Sequence, residues 1–414
     1  MTTVGILAFV VALLGSVMLH EAGHFLTARH YGMKATQFFV GFGPTIFSRT
    51  RGETEYGVKA IPAGGFVKIV GMTPLEEVPP GDEDRAFFKQ PAGRKAVVLA
   101  AGSTVHFLIC VVLVFGTIAT LGVPDPTAPV LARPQDCVAL SITAADKTIP
   151  SSVKGKDGSC PAGTVPSVAA AAGIQAGDRV LSAGGQKVTT YTDFQKIVRA
   201  SAGRHLDVVV NRHGTLTTLG LTPLLTTRPS LTNAKDSVQV GAIGVAPDQT
   251  SLRHVGLAAS FQETGTQVGA LVTGTWSTLT TKLGSLGGVY DKNRDPSGFV
   301  GVVGVSRVSG EVFNAPIPFE TRLAGFLLIV AGLNLFVGVF NLLPLLPLDG
   351  GHIAVVVFES ARDRIRRARG YVGDVKRVDY NKLMPLTFGV VVLFAGFSLW
   401  LLGADIVNPI RISQ

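Results

Sequence analysis

The chain has 414 residues, 47% of them hydrophobic and only 16% charged, with a formal net charge of +9 and a mean hydropathy of +0.39. A chain this apolar with so few charges reads as a polytopic membrane protein and not as a soluble enzyme or binding domain. Its densest basic run, Arg362 to Gly370, has no interleaved aromatics, so it reads as a solvated or lipid-facing helix surface and not as a nucleic-acid contact.

Four runs are long and apolar enough to cross a ~30 Å hydrocarbon core as helices: residues 5–26, 96–123, 323–348 and 384–404. The first lacks a basic leader and a small-residue cleavage site, so it is read as retained. Near its end stands His20-Glu21-Ala22-Gly23-His24. Histidines at i and i+4 share one helix face, so both imidazoles reach one metal ion while the intervening glutamate polarises a water. Ionisable groups inside a bilayer are costly, which favours a functional reading of all three.

Residues 29–95 hold ten Lys/Arg against seven Asp/Glu, and residues 359–382 hold eight against four. The positive-inside rule makes both segments cytoplasmic and translocates residues 123–321, leaving both termini outside. Within the first, "EYGVKAIPAGGFVKIVGM" (residues 55–72) reads as a hairpin of two short strands turning at Pro62-Ala63-Gly64-Gly65. The second apolar run opens with "AAGSTVHF" (residues 100–107), which puts Ser103 and His106 within the span. Cys110 is a mid-span core residue, whereas Cys137 and Cys160 fall in the translocated segment, where oxidation is allowed, and are expected to form a disulfide.

Residues 124–247 have the turn chemistry of a soluble α+β domain. "RVLSAGG" reads as a strand closed by Gly184-Gly185, "TDFQKIVRA" as a helix capped by Thr192 or Asp193, and the chain turns as a hairpin at His213-Gly214. This pattern resembles a PDZ domain of the bacterial protease-associated type, in which a helix and a strand border a groove for an extended peptide. Residues 255–289 carry Phe261, Val268, Leu271, Val272, Trp276, Leu279, Leu283 and Leu286 near one helical face, as in a helix lying on the outer membrane surface. "DPSGFVGVVGVSRVSG" (residues 295–310) reads as a glycine-punctuated linker.

The third run ends in "NLLPLLPLDGGH" (residues 341–352). A zinc ion with one position left for water needs a third protein ligand, and Asp349 is the membrane-embedded candidate at the same depth as His20 and His24. H-E-x-x-H in a first span, a central PDZ-like domain and Leu348-Asp349-Gly350 in a later span resemble the site-2 protease family of intramembrane zinc metalloproteases, in its bacterial regulated-proteolysis form. The resemblance covers essentially the whole chain.

That resemblance implies one Zn2+ held by His20, His24 and Asp349, with Glu21 as general base. It implies substrate contact for Asn341 and a membrane-associated β-element for the hairpin, so Gly64, Gly65, Phe66 and Pro344 join the candidate substrate-binding residues. Asn334, seven residues before Asn341, is read either as a second substrate contact or as interhelical glue. His352, Gly350 and Gly351 are candidate supports for the metal ligands, and His30 is read as an ordinary residue. Where the family commonly has Gly-Pro-x-x-Asn, this chain has Ser103 and His106, and His106 is read as a hydrogen-bonding replacement.

The expected fold is a polytopic α-helical membrane protein with four transmembrane helices, a membrane-associated β-hairpin and an extracytoplasmic α+β PDZ-like domain. The expected segments are residues 1–28 (first transmembrane helix), 29–95 (cytoplasmic-side loop with the hairpin), 96–123 (second helix) and 124–247 (PDZ-like domain). They continue with 248–322 (amphipathic surface helix and linker), 323–349 (third helix), 350–383 (basic cytoplasmic segment) and 384–404 (fourth helix). The expected partners are the lipid bilayer and a single-span membrane substrate, either an anti-sigma factor or a remnant signal peptide, cut first by an upstream site-1 type protease in a bacterial inner membrane. A non-catalytic PDZ-bearing scaffold is the alternative, favoured only by loss of a ligand or of Glu21.

Overall fold

The computed structural model describes residues 2–72, 78–143, 158–230, 236–248, 250–281, 288–290, 294, 298–315, 317–372 and 378–410. They belong to two units, one of residues 1–121 and 255–414, the other of residues 122–254. Among the described residues, four helices are long and apolar enough to cross a membrane.

Helix α1 (Thr2–His30) runs unbroken because residues 4–19 hold neither proline nor charge. The chain then returns as strands β1 (Ala35–Arg51) and β2 (Thr54–Ile69). Gln37 to Val40 meet Lys68 to Gly65 on one side and Glu55 to Val58 on the other, while Phe47 to Thr50 meet Val58 to Glu55. The two long strands therefore make four ribbons, ordered 65–69, 35–40, 54–58 and 47–51. This corrects the expected hairpin: the chain reverses between residues 58 and 65, but the two segments do not pair with each other, because residues 35–40 of β1 lie between them. β1 bends too, at Gly41 and Gly43, both with φ above +80°, a conformation open to glycine.

Helix α2 (Ala92–Thr120) follows. It crosses α1 closely, since a Cβ on Gly23 would strike the Ala101 carbonyl; small residues permit such an approach between helices.

The second unit begins and ends in a short neck, where β3 (Val123–Pro124) pairs with the later strand at residues 252–253. Strand β4 (Cys137–Ala139) pairs with β5 (Thr164–Pro166), and a Cys137–Cys160 disulfide lies beside them. A short helix α3 (Val168–Ala171) leads to β6 (Arg179–Ala183), β7 (Gln186–Lys187), helix α4 (Tyr191–Ala200), β8 (Leu206–Arg212) and β9 (Thr215–Leu221). These strands form a sheet in the order β7-β6-β8-β9. β10 (Leu224–Pro229) and β11 (Ser237–Ala242) form a separate pair, and β12 (Leu252–Arg253) closes the neck. Val180, Phe194, Val198, Val208 and Val210 fill the core between α4 and the sheet.

The cap of α4 is Thr190, not Thr192 or Asp193. Its hydroxyl accepts from Asp193 N while the Asp193 carboxylate accepts from Thr190 N, a reciprocal capping box. Thr190→Ala should cost about 1 kcal/mol, seen as faster amide exchange across α4 in the full chain; unchanged exchange would dismiss the cap. Hydrogen bonds from the Thr189 hydroxyl first, then from Thr190, hold Asp193 down at about 2. With the folded value below the unfolded one, the contribution is complete above the ordinary aspartate range and fades as pH falls toward about 2.

In the first unit, helix α5 (Leu257–Thr281) stacks Phe261 against Phe115 of α2 at 4.7 Å. Its Leu271 borders Gly332 of the next long helix. α5 thus runs along its neighbours, which a helix lying flat on a membrane surface would not do. Leu283 and Leu286 of its expected apolar face, and the side chain of Leu279, lie outside the described residues.

Part of the expected linker is also ordered, as helix α6 (Val302–Asn314). Its glycines are contact points: a Cβ on Gly310 would meet Thr2 of α1, and one on Gly304 would meet Asp405. The buried Asp405 carboxylate accepts from Gly304 N at 2.7 Å and pairs with Arg294 at 3.0 Å.

Helix α7 (Phe319–Asn341) is shorter than expected, and Asp349 opens a separate helix, α8 (Asp349–Ala368). Pro344 and Pro347 stand in the break, where a helix would lose amide donors. The last long helix is α9 (Tyr380–Val407). Phe25 of α1, Ile69 of β2, Val98 and Leu99 of α2 and Val356 of α8 share one buried cluster, which fixes the start of α8 beside α1 and α2.

Candidate metal centre and active site

His20 and His24 lie one turn apart on α1, both buried, with their Nε2 atoms 3.1 Å apart. The Asp349 Oδ2 atom is 3.5 Å from the first and 3.4 Å from the second. These three side chains form the one His/Cys/Asp/Glu cluster of metal-ligand geometry among the described residues. Tetrahedral zinc with bonds of about 2.0–2.1 Å places its ligand atoms about 3.3 Å apart, so the triangle fits such an ion. Oδ2 of Asp349 is buried and takes no hydrogen bond among the described residues, a costly state for a carboxylate without a cation.

Local structure accounts for each position. The Nδ1–H of His24 donates to the Val98 carbonyl at 2.7 Å, which leaves its Nε2 as a lone pair. Gly102 of α2 lies against both rings, and any Cβ there would fall on His20 Cε1 and His24 Nε2. Asp349 is held by the tight passage of Gly350 and Gly351 past the backbone of residues 342–346, where a Cβ on either would collide.

Glu21 points to a different partner. Its Oε2 accepts from Val67 N at 3.1 Å. Val67 is paired with Phe38 on one side only, so its amide lies on the free edge of the 65–69 ribbon. The base candidate therefore stands beside the outer edge of this strand, where Val67 has no second strand partner among the described residues.

The remaining candidates scatter around this core. Gly65 packs on Met18 of α1, with a Cβ 2.5 Å from its Sδ, and Phe66 stacks on Phe39 at 5.6 Å. Gly64 adopts φ +135°. Asn341 ends α7, half-buried and with no side-chain hydrogen bond among the described residues, and Pro344 is exposed just beyond.

Asn334 is already engaged: His106 and Ser16 take its amide. His352 pairs with Tyr380 at 3.5 Å and is outside the metal cluster, as is His106. His30 packs on Tyr31. Cys137 and Cys160 belong to the other unit.

Sequence reasoning missed Gly102, the Val98 carbonyl, the Val67 amide and Ser16. The two backbone groups leave no mark in a sequence. Gly102 and Ser16 stand one turn before His106 and His20 respectively, and that i+4 spacing was the available signal.

Two imidazoles and a carboxylate converging beside a glutamate, among membrane-length helices, define a metallopeptidase of the membrane-embedded class. A family model described as Peptidase family M50 matches residues 8–375. Zinc metalloprotease Rip1 of Mycobacterium tuberculosis is 39% identical over the full length of both chains. The protein of the same name from Mycolicibacterium smegmatis is 38% identical over 99% of each. A putative zinc metalloprotease of Agrobacterium fabrum is 28% identical over 87% of each. The chain belongs to Peptidase family M50, the site-2 protease family, and is a zinc metalloprotease.

Proposed function

We propose that His20, His24 and Asp349 hold a single zinc ion and that Glu21 is the general base of an endopeptidase cutting single-span membrane proteins. The observation that carries this reading is the Val67 amide at 3.1 Å from the Glu21 carboxylate, which joins a base to an open strand edge beside the metal triangle. When bound, zinc supplies Lewis acidity, polarising the scissile carbonyl and a water. Glu21 takes a proton from that water and returns it to the departing amine.

A transmembrane substrate hydrogen-bonds its own backbone, so it must unwind before a carbonyl reaches the site, and its freed amides need new partners. The 65–69 edge offers them by strand addition, with Gly64, Gly65 and Phe66 on that strand. The Asn341 amide, which has no side-chain hydrogen bond among the described residues, and Pro344 take further contacts of the unwound chain.

Residues 122–254 act as a PDZ-like extracytoplasmic domain that filters substrates by size or recruits them. Their α4 bears on the irregular segment after β11, where the Tyr191 hydroxyl donates to the Val245 carbonyl at 3.0 Å. The protein spans a bacterial inner membrane with both termini outside. It releases the cytoplasmic part of an anti-sigma factor, or clears remnant signal peptides, once an upstream site-1 type protease has shortened them.

The test is cleavage of a single-span reporter in membranes, with and without its outer portion. The shortened reporter should be cut and the intact one spared, and chelation should stop cutting until zinc is returned. A zinc-loaded protein that cuts none of several shortened reporters would favour a non-catalytic scaffold.

A further inference from the structure

The two histidines of the triangle are oriented by different means. His24 has the usual device for a metal-binding imidazole, a hydrogen bond from its second nitrogen, here to Val98 O. His20 has a weaker tie: its Nδ1 is buried and meets only the Gly102 backbone, outside good hydrogen-bond geometry. Its ring is confined sterically as well. Gly102 lies on one side, and the ring of His106 stands 5.0 Å away, tilted by 38°.

His106 is itself fixed with unusual completeness. Its Nδ1 is 2.8 Å from Asn334 Oδ1. The Asn334 Nδ2 group donates to Ser16 Oγ at 3.0 Å and to the Val330 carbonyl at 2.9 Å. A carbonyl can only accept, so the amide cannot be flipped, and the oxygen must be the atom facing His106. His106 Nδ1 therefore carries the proton. Ser16 completes the chain by donating to the Ala12 carbonyl at 2.9 Å.

Exposures of 2% for His106, 1% for Asn334 and 6% for Ser16 put the whole network in the interior. A buried polar chain with each member satisfied rigidifies what it touches. Here it ties α1, α2 and α7 together one turn along from the metal triangle.

We propose that His106 is a positioning residue for zinc. Its ring, anchored through Asn334 and Ser16, holds the His20 imidazole in its ligating orientation by packing against it. This rests on the reading of His20, His24 and Asp349 as ligands. It makes His106 neither a ligand, since it lies outside the metal cluster, nor a group in contact with substrate.

Zinc affinity measured by chelator competition on the full-length protein tests this, with the visible absorption of the cobalt-substituted form as a second readout. His106→Ala should weaken zinc by roughly 10- to 100-fold, the range for outer-sphere supports, and alter the cobalt band. His106→Phe keeps a ring against His20 without the hydrogen bond and should recover most of the affinity. Asn334→Leu should fall between them, with a changed band.

Wild-type affinity and an unchanged cobalt band in His106→Ala would overturn the proposal. So would equal losses in His106→Phe and His106→Ala, because ring packing would then not be the operative contact. Thermal melting of the zinc-free proteins identifies a variant that fails to fold; for one that does, Ser16→Ala takes its place and should still weaken zinc. The ligand reading fails separately, if His24→Ala binds zinc like wild type.

Discussion

Gly102→Ala is expected to yield a protein without its metal. The new methyl group would occupy the space of His20 Cε1 and His24 Nε2 at once, and neither ring can retreat. His24 is tied to Val98 O on the same helix, and His20 is backed by His106. Nor can the two helices shift closer to make room, because the neighbouring residues Gly23 and Ala101 already bring their backbones into contact. Zinc affinity should fall by more than about 100-fold, beyond the range of outer-sphere changes, and reporter cleavage should vanish with it. Metal content per protein and cleavage in the same membranes measure both. Gly116→Ala is the matched control on α2, since a methyl group there meets nothing within 4 Å. Should Gly102→Ala hold a full equivalent of zinc, the α1–α2 contact would not be what shapes the site.

Glu21→Gln should have the opposite signature, with zinc retained and cleavage lost. The glutamine carbonyl oxygen can still accept from Val67 N, so the sheet edge keeps its partner, and the three ligand side chains are untouched. What disappears is the capacity to take a proton. Removing a positioned general base costs roughly 10²–10⁴-fold, or about 3–5 kcal/mol of barrier. Zinc determination alongside reporter cleavage separates this from a loss of metal. A variant that keeps zinc and cleaves within about threefold of wild type would remove Glu21 from the mechanism.

How much of this was legible beforehand depends on how local the determinants are. His20, Glu21 and His24 follow from helix periodicity alone, and Asp349 from the need for a third ligand at matching depth. The four membrane-length helices follow from uninterrupted apolar runs. What stayed hidden is non-local. The long β1 strand went unread in the sequence, because Gly41, Gly43 and Pro44 are residues that strands disfavour, yet these glycines supply one of the bends that turn two strands into four ribbons. The glycines of α6 likewise read as linker punctuation, whereas they are where the helix touches Thr2 and Asp405. In the third apolar run Pro344 and Pro347 mark a break in helical regularity from sequence alone, whereas the end of α7 at Asn341 and the start of a separate helix at Asp349 do not. Asn334 was left between two readings by sequence; its fully occupied amide decides for interhelical bonding.

The neck of the second unit bears on how such a chain can change. Val123 and Pro124 lie directly opposite Arg253 and Leu252, so the polypeptide leaves the first unit and comes back to it at adjacent points. Topologically the second unit is a side branch, and the first unit closes over it as if residues 122–254 were one tight turn. Closing a loop is insensitive to its length, each doubling adding only about 0.6 kcal/mol. Everything beyond the neck can therefore be lengthened, exchanged or lost while the helices that carry the histidines and Asp349 keep their register, which leaves the second unit free to diverge without disturbing the metal triangle.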